Sequence, residues 1–229
     1  MSEQKLRGAL IGFGSIQSKA HVPAYIERLR TRQDVVITAI ADASEARRHL
    51  AQELLPETRI YTDAEILLEE EAGAIDFVDI AIPPAFQMQV AKLAIERGVN
   101  VLCESPVTHS PTELEQVCRL ALKHEKVFFP VHTYKHAAVA QTIRQLIDAG
   151  RIGRVRSVAL NAFRENHPQG VHEWRPNWRR EHRYGGGGIA MDQGRHALYL
   201  AYDWLGQSPT KVTAKATSVS SQYDTEDDF

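Results

Sequence analysis

Residues 6–21 read LRGALIGFGSIQSKAH, and this segment indicates the fold class of the N-terminal half of the chain. Its first six residues are almost continuously apolar, a pattern typical of a strand that is buried on both faces of a parallel sheet. Gly12 and Gly14 follow at once, and residues 15–30 have the spacing of a helix. A strand that enters a helix through a glycine turn predicts the start of an α/β domain.

The alternation of apolar runs and helical segments continues to residue 131. Strands are predicted at Leu6–Ile11, Val35–Ala41, Arg59–Tyr61, 77–82, Asn100–Cys103 and 127–131. Helices are predicted at 15–30, Glu45–Leu54, Ala64–Glu71, 86–97 and 111–124. Strands and helices that alternate in this way predict a doubly wound parallel sheet, so we expect residues 1–131 to form one α/β domain.

The pattern changes after residue 131. A helix is predicted at 137–149, a strand at 155–163, a long polar loop at 164–184, a helix at 189–205 and a strand at 211–219. Two strands make a poor sheet on their own. We therefore expect residues 132–229 to form a second domain that is incomplete as written.

Composition narrows the functional class. The 229 residues are 43% hydrophobic, and 27 basic against 29 acidic side chains give a net charge of −2. Well-mixed charges create no field that would recruit nucleic acid or an anionic membrane, so a small-molecule ligand is favoured. Cys103 and Cys118 have neither disulfide-framework nor zinc-site spacing, and no metal is expected. Without a signal-type segment or an apolar run of about 18 residues, the chain is expected in the cytoplasm.

The glycine turn predicts a phosphate-binding site. In dinucleotide-binding folds the first glycine permits the turn, and the second lets the backbone approach a pyrophosphate at the helix N-terminus. The second predicted strand, VVITAIAD, ends at Asp42, whose carboxylate can accept hydrogen bonds from ribose hydroxyls. An acid there favours NAD over NADP, although Arg47 and Arg48 leave NADP open. The alternative is that Asp42 only caps the next helix.

A second site is indicated by GGGGIAMDQGRHALYLAYDW, residues 185–204. Asp192 and His196 lie one helical turn apart, and oxidation of a secondary alcohol needs a base such as imidazole near the hydroxyl. Asp192 is expected either to contact the substrate or to stabilise the imidazolium. The preceding glycines lack Cβ atoms, so we expect their backbone to approach cofactor and substrate and their N–H groups to bind oxygen atoms. The alternative is a structural Asp–His pair on a surface helix.

Two further segments supply candidate substrate contacts. In HEWRPNWRREHRY, residues 172–184, Trp174 can stack on a sugar ring and Arg175 can grip a carboxylate or phosphate. The alternative is a solvated loop whose tryptophans pack on the domain. In HTYKHAA, residues 132–138, Tyr134 and Lys135 are candidates for substrate binding because they follow the last predicted strand of the first domain; otherwise they are ordinary polar residues.

Together these motifs resemble the Gfo/Idh/MocA family of NAD(P)-dependent sugar and inositol oxidoreductases, over essentially the whole chain. GFGSIQSKAHVPA resembles the family's phosphate loop and H-x-P segment, AIPPAF its Pro-containing loop, VLCESP its E-K-P motif and GGGGIAMDQGRH its G-G-G-x-x-x-D-x-G-x-H signature. The resemblance implies an N-terminal Rossmann domain. It also implies a C-terminal α/β domain with an open, mostly antiparallel sheet, through which a homo-oligomer is expected to form.

The resemblance further implies which residues hold NAD and which carry the chemistry. The cofactor-binding positions that it marks are Gly12, Phe13, Gly14, Ser15, Ile16, Asp42, Ile82, Pro83, Glu104 and Ser105. It implies hydride transfer between a nicotinamide and a sugar, inositol or related cyclic polyol, with Asp192 and His196 as the catalytic residues. The alternatives are a catalytically silent nucleotide- or sugar-binding regulatory protein and an NAD-using glycosidase- or epimerase-like enzyme.

Three positions depart from the family pattern. Gln17 replaces the third glycine of the phosphate loop, Gln87 replaces a common histidine, and Ser105 stands where E-K-P has its lysine. In the family that lysine assists proton transfer electrostatically, and losing one such donor costs about 2.7 to 4 kcal/mol of transition-state stabilisation. Lys135 and Tyr134 are the candidates to replace that lysine. The resemblance also implies a cis peptide between Ser105 and Pro106.

Overall fold

The structure, a computed structural model, describes residues 5–165, 168–219 and 224–229. These residues form two compact units. The first comprises the residues up to Val131 together with Gln169–Trp178, and the second comprises His132–Pro168 and Arg179–Phe229. The segment Gln169–Trp178 thus packs with the N-terminal unit although it lies far along the chain.

The first unit is built on a six-stranded parallel sheet with the strand order 3-2-1-4-5-6. Its strands are β1 Leu6–Ile11, β2 Val35–Ala41, β3 Arg59–Tyr61, β4 Phe77–Ile80, β5 Asn100–Cys103 and β6 Phe128–Pro130. The order reverses between β1 and β4, as in Rossmann folds, where ligands bind beyond the carboxyl ends of the strands at this point. The predicted parallel sheet is confirmed.

Helices connect the strands of the first unit. They are α1 Val22–Thr31, α2 Glu45–Leu54, α3 Ala64–Glu71, α4 Pro84–Glu96 and α5 Pro111–Lys123, and a π-helical turn at Gln17–His21 precedes α1. β4 ends at Ile80 rather than at residue 82, and α4 begins at Pro84 rather than at residue 86. Proline has no N–H for sheet pairing but fits the first turn of a helix, so Pro83 and Pro84 end the strand and start the helix early.

Successive residues of β1 contribute to two different buried clusters. Ala9 and Ile11 belong to a large cluster with Val78, whereas Leu10 belongs to a second cluster with Phe13. Strand side chains alternate between the two faces of a sheet, so a strand that is apolar at every position needs helices on both faces. The doubly wound arrangement supplies them.

The second unit contains α6 Ala138–Asp148, α7 His182–Gly185 and α8 Arg195–Leu205, and a π-helical turn at Ala190–Gly194 leads into α8. Within its described residues, no strand forms at 155–163 or at 211–219, the two ranges where strands are predicted. The second range contributes Thr217 to one isolated antiparallel bridge with Asp228. A strand is held by a ladder of hydrogen bonds to its neighbours, and the single bridge at Thr217 is not such a ladder. The strand predictions are therefore wrong here, and the antiparallel sheet is not confirmed. Across the described parts of both units, no helix has the length and apolar character needed to cross a bilayer.

Candidate functional site

Gly12 makes the turn between β1 and the helix that follows. Its φ is +86°, and a Cβ built on it would lie 2.5 Å from Ile82 Cγ2 and 2.7 Å from the Ala81 carbonyl oxygen. Glycine alone adopts this conformation without strain and without these overlaps. A Cβ on Gly14 would meet no atom within 4 Å, so the turn has open space on that side. Ser15 and Ile16 begin the helix beyond it.

Asp42 ties this turn to the next strand–helix connection. Its carboxylate accepts hydrogen bonds from the Phe13 N–H at 2.6 Å and from the Ser44 N–H at 2.8 Å. Ser44 is the N-cap residue of α2, so Asp42 does support a helix start, as the alternative interpretation proposes. A carboxylate has about four lone-pair sites, and these two bonds do not exhaust them.

Two arginines of α2 bond to the backbone of the same region. Arg47 is buried; its Nε donates to the Phe13 carbonyl oxygen at 2.7 Å, and its Nη2 donates to Ser18 Oγ at 3.0 Å. Arg48 Nη1 donates to the Asp42 carbonyl oxygen at 2.9 Å. The turn therefore carries a buried positive charge, which suits an anionic ligand such as a phosphate.

Trp174 and Arg175 lie in the segment that packs with the first unit. The Trp174 ring meets the Phe86 ring edge-on, with 6.4 Å between the centroids. Glu173 Oε1 lies 3.8 Å from Arg47 Nη1, and Arg175 is exposed, with a φ of +35°. The ring contact is the one expected of the packing alternative for Trp174. A role for either residue in substrate binding stays a prediction.

Ser105 and Gln87, two of the departures from the family pattern, both anchor the loop after β5. Ser105 Oγ donates to the Val131 carbonyl oxygen at 2.7 Å. Gln87 is 1% exposed; its Nε2 donates to the Pro106 carbonyl oxygen at 2.7 Å, and its Oε1 accepts from Cys103 Sγ at 3.3 Å. The Ser105–Pro106 peptide is cis, as expected. Where the family pattern has an ammonium group, this chain has a hydroxyl bonded to backbone.

A buried cluster joins the start of α1 to the carboxyl-end regions of β4 and β5. The sequence marks one of its members, Glu104, as a cofactor contact but does not show that these residues meet. His21 Nδ1 lies 2.8 Å from Asp79 Oδ2, and His21 Nε2 lies 3.0 Å from Glu104 Oε1. The Tyr25 hydroxyl donates to Asp79 Oδ2 at 2.8 Å, and Asp79 is fully buried. These four residues are named the His21 cluster below. The sequence signal for it is an acid within the apolar run FVDIAI.

Two opposing effects set the pKa of His21. Burial alone lowers it, because a low-dielectric environment disfavours the imidazolium. Hydrogen bonds and charges from Asp79 and Glu104 outweigh burial and raise the pKa to about 10. His21 is therefore protonated at neutral pH, and both of its ring nitrogens donate hydrogen bonds. Burial and the Asp79 carboxylate also raise the pKa of Tyr25, which keeps its hydroxyl a donor.

The glycine run at 185–188 packs against the C-terminal residues of the second unit. Gly186 has a φ of +76°, and a Cβ on Gly188 would overlap with the Glu226 carbonyl oxygen. Glu226 Oε1 accepts hydrogen bonds from the Gly188 N–H at 2.7 Å and from the Ala190 N–H at 3.1 Å. The expectation that the N–H groups of the run bind a ligand is therefore wrong for Gly188. A carboxylate of the same chain takes its N–H, because the missing Cβ lets another backbone segment approach.

His196 is paired with Tyr199, one turn further along α8. His196 Nδ1 lies 2.7 Å from the Tyr199 hydroxyl oxygen, which also accepts the Tyr134 N–H at 3.1 Å. The Tyr134 ring stacks on the imidazole with 4.3 Å between the centroids. Sequence reasoning missed Tyr199, although its i+3 spacing places it on the same helical face as His196.

Asp192 lies in the π-helical turn before α8. Its Oδ2 accepts a hydrogen bond from Gln193 Nε2 at 2.7 Å, and its Oδ1 lies 3.6 Å from Arg179 Nε. An amide and a guanidinium group therefore orient this carboxylate. Neither here nor elsewhere in residues 5–165, 168–219 and 224–229 do three His, Cys, Asp or Glu side chains come together as metal ligands.

Lys135 and Tyr134, the candidates to replace the missing lysine, have different surroundings. Lys135 Nζ lies 2.9 Å from Asp203 Oδ1, so a carboxylate binds its ammonium group. The Tyr134 hydroxyl accepts a hydrogen bond from Arg164 Nη2 at 3.3 Å, and its ring is the one stacked on His196. Of the two, Tyr134 is therefore the residue in contact with the proposed base.

The chain is similar to curated dehydrogenases of sugars. It is 28% identical over 206 residues to D-glucoside 3-dehydrogenase of Escherichia coli (strain K12), a match that covers 90% of this chain and 56% of that protein. It is 28% identical over 210 residues to D-xylose 1-dehydrogenase (NADP(+)) 2 of Haloferax volcanii, which covers 91% of this chain and 59% of that protein. The chain thus spans little more than half the length of these relatives.

A solved structure and two family models also match this chain. The WlbA dehydrogenase from Bordetella pertussis, in complex with NADH and UDP-GlcNAcA, matches with a TM-score of 0.83 and 22% identity, covering 99% of this chain and 65% of that one. This match shows the fold. The family model described as oxidoreductase family, NAD-binding Rossmann fold, matches residues 6–132, and the C-terminal domain model of the same family matches residues 140–229. The chain therefore belongs to the Gfo/Idh/MocA oxidoreductase family.

Proposed function

We propose that this chain binds NAD through its first unit and transfers a hydride between the nicotinamide and a hydroxyl-bearing carbon of a sugar, inositol or related cyclic polyol. The observation that carries the proposal is the Gly12 turn, which admits no side chain and has open space at Gly14. The D-glucoside and D-xylose dehydrogenases among the relatives support a sugar or polyol as the substrate class.

The residues around the turn fit a dinucleotide. Gly12, Gly14 and the first N–H groups of the helix would hold the pyrophosphate, and Arg47 adds positive charge beside them. Asp42 would accept hydrogen bonds from the adenosine ribose hydroxyls. Its negative charge would repel a 2′-phosphate, so NAD is proposed ahead of NADP. The other proposed cofactor contacts are Phe13, Ser15, Ile16, Ile82, Pro83, Glu104 and Ser105. NAD, when bound, supplies a hydride acceptor.

His196 is the proposed base. The Tyr199 oxygen accepts the Tyr134 N–H and lies 2.7 Å from His196 Nδ1, and we propose the tautomer in which Nδ1–H donates to it. In that tautomer Nε2 of His196 carries the basic lone pair, and a general base of this kind takes the proton of a substrate hydroxyl. Asp192, oriented by its two partners, would bind a neighbouring hydroxyl of the same substrate. Trp174, Arg175 and Lys135 remain proposed substrate contacts.

Ser105 lowers the rate that we expect. Its hydroxyl donates to the Val131 carbonyl oxygen, so it does not stand in for an ammonium group. Losing one preorganised donor of this kind costs roughly 10²- to 10³-fold in kcat, and Tyr134 is the residue proposed to offset part of that loss. The same hydrogen bond favours a second candidate function, a catalytically silent nucleotide-binding regulatory protein.

The domain division and the assembly are proposed with the function. The two family models meet between residues 132 and 140, which supports a dinucleotide-binding domain at 1–131 and a substrate domain at 132–229. We propose a cytoplasmic homo-oligomer that assembles through the C-terminal domain. Sedimentation velocity would detect such an oligomer, and a purely monomeric chain would contradict it.

Titration with NAD and NADP, followed by an absorbance assay for reduced cofactor across a panel of sugars and polyols, tests the function. Turnover with net reduction supports the oxidoreductase, and binding without turnover supports the regulatory protein. Product without net reduction supports an NAD-using epimerase- or glycosidase-like enzyme, and absence of nucleotide binding refutes the proposal. His196→Ala should abolish turnover and leave NAD affinity unchanged, whereas His49→Ala, at an exposed position of α2, should change neither.

A further inference from the structure

The two acids of the His21 cluster belong to the half of the sheet opposite to Asp42. A Rossmann fold consists of two mononucleotide-binding halves that meet where the strand order reverses. β1–β3, with the Gly12 turn and Asp42, form the half that would hold the adenosine. Asp79 lies in β4 and Glu104 directly follows β5, so both acids belong to the half that would receive the nicotinamide.

Hydrogen bonds link the cluster from the core outward. Asp79 is held by the Tyr25 hydroxyl and by His21, and its side chain is 0% exposed. The imidazolium of His21 is held by Asp79 and donates its other N–H to Glu104, whose side chain is 15% exposed. Glu104 is thus the outer end of a chain of bonds whose inner end is buried and fixed.

Glu104 in turn orients the backbone beside it. Its Oε2 accepts the Ser105 N–H at 3.0 Å, and its own N–H donates to the Ile80 carbonyl oxygen at 2.8 Å. The Ser105 hydroxyl and Gln87 hold the residues that follow. The direction of the Glu104 carboxylate therefore depends on His21, while the rest of the loop has separate anchors.

We propose that His21, held by Asp79, is a positioning residue that orients Glu104 for the nicotinamide half of a bound dinucleotide. The inference rests on the proposed function, because it requires a dinucleotide at the carboxyl ends of the strands. If the cluster only tied α1 to the sheet, its loss would weaken binding to every part of the nucleotide site alike. If His21 positions Glu104, loss of His21 should weaken binding of the nicotinamide half alone.

The test compares two probes in the full chain. NAD⁺ fills both halves of the site, whereas ADP contains only the adenosine and diphosphate part. Calorimetric titrations would use the parent, His21→Gln, Asp79→Asn and the matched control His49→Gln on the surface of α2. In His21→Gln and Asp79→Asn, NAD⁺ affinity should fall about tenfold, as expected for the loss of one hydrogen bond to a charged group, and ADP affinity should change less than about twofold. The control should match the parent for both probes.

A double variant checks the route through Glu104. If His21 acts through that carboxylate, His21→Gln should weaken NAD⁺ binding no further in a Glu104→Gln background, since coupled residues are non-additive. Unchanged NAD⁺ affinity in the single variants, an equal loss for ADP, or full additivity would each overturn the inference. If the melting transition shows that His21→Gln does not fold, Asp79→Asn, which keeps the shape of the side chain, carries the same comparison. A parent chain that binds neither probe refutes the proposed function itself.

Discussion

Replacing Gly12 by alanine should destabilise the first unit more than any replacement at an unconstrained glycine. The alanine would have to hold a φ of +86°, which costs an L-residue roughly 1–2 kcal/mol. Its Cβ would also lie 2.5 Å from Ile82 Cγ2 and 2.7 Å from the Ala81 carbonyl oxygen, and overpacking of this kind adds about 1–3 kcal/mol. We expect the free energy of unfolding to fall by about 2–5 kcal/mol in total.

Two control glycines of the same unit separate these contributions. Gly98 has a φ of +80°, and its added Cβ would meet only Lys126 Cε, at 3.8 Å, so Gly98→Ala should show the backbone cost alone, about 1–2 kcal/mol. Gly73 has neither a positive φ nor an atom within 4 Å, and Gly73→Ala should stay within about 0.5 kcal/mol of the parent. Urea unfolding followed by circular dichroism gives all three values. The steric reasoning is refuted if Gly12→Ala loses no more stability than Gly98→Ala.

Raising the pH should remove the stabilisation that His21 contributes. Its pKa rises from 6.5 to about 10 on folding, so the contribution is complete below about pH 6.5 and is lost, on the order of 5 kcal/mol, as the pH rises through about 10. The free energies of unfolding of the parent and of His21→Gln, measured with urea, should converge as the pH rises over this range. A constant difference between them would contradict a protonated His21. Gly188→Ala should displace Glu226 and speed hydrogen exchange of the Ala190 amide at least about tenfold, because its Cβ would overlap with the Glu226 carbonyl oxygen; unchanged protection would argue against that packing. Tyr199→Phe should lower kcat about 10- to 100-fold without changing NAD⁺ affinity, since His196 loses its oxygen partner, and an unaltered kcat would remove Tyr199 from the mechanism.

Local sequence patterns are sufficient to predict most of the strands and turns of the first unit. β1, β2, β3 and β5 have the predicted bounds, because an apolar run between turn signals is a property of a few neighbouring residues. The Gly12 turn and Asp42 could be predicted for the same reason, since their order along the chain is itself the motif. After β4 the boundaries differ from the prediction, because Pro83 and Pro84 favour the start of a helix over continued sheet pairing.

Local patterns were insufficient where a segment depends on distant partners. Residues 155–163 and 211–219 have strand-like composition, but a strand forms only when other backbone segments pair along it. In the described part of the second unit neither forms a strand, and the second contributes one bridging residue, Thr217. The glycine run predicts a ligand contact, because nothing in its neighbourhood along the chain reveals that Glu226 reaches it.

The amino-acid sequence alone determined that this chain has a parallel Rossmann sheet, a glycine turn after its first strand and an acid after its second. Tertiary structure alone decided which polar groups meet. His21 pairs with Asp79, 58 residues away, and with Glu104, 83 residues away, and Glu226 binds the Gly188 N–H across 38 residues. The physical reason is range. Turns, helices and the apolar pattern of a buried strand depend on residues that are close in sequence, whereas the hydrogen bonds of a site join groups that only the packing of whole strands and helices brings together.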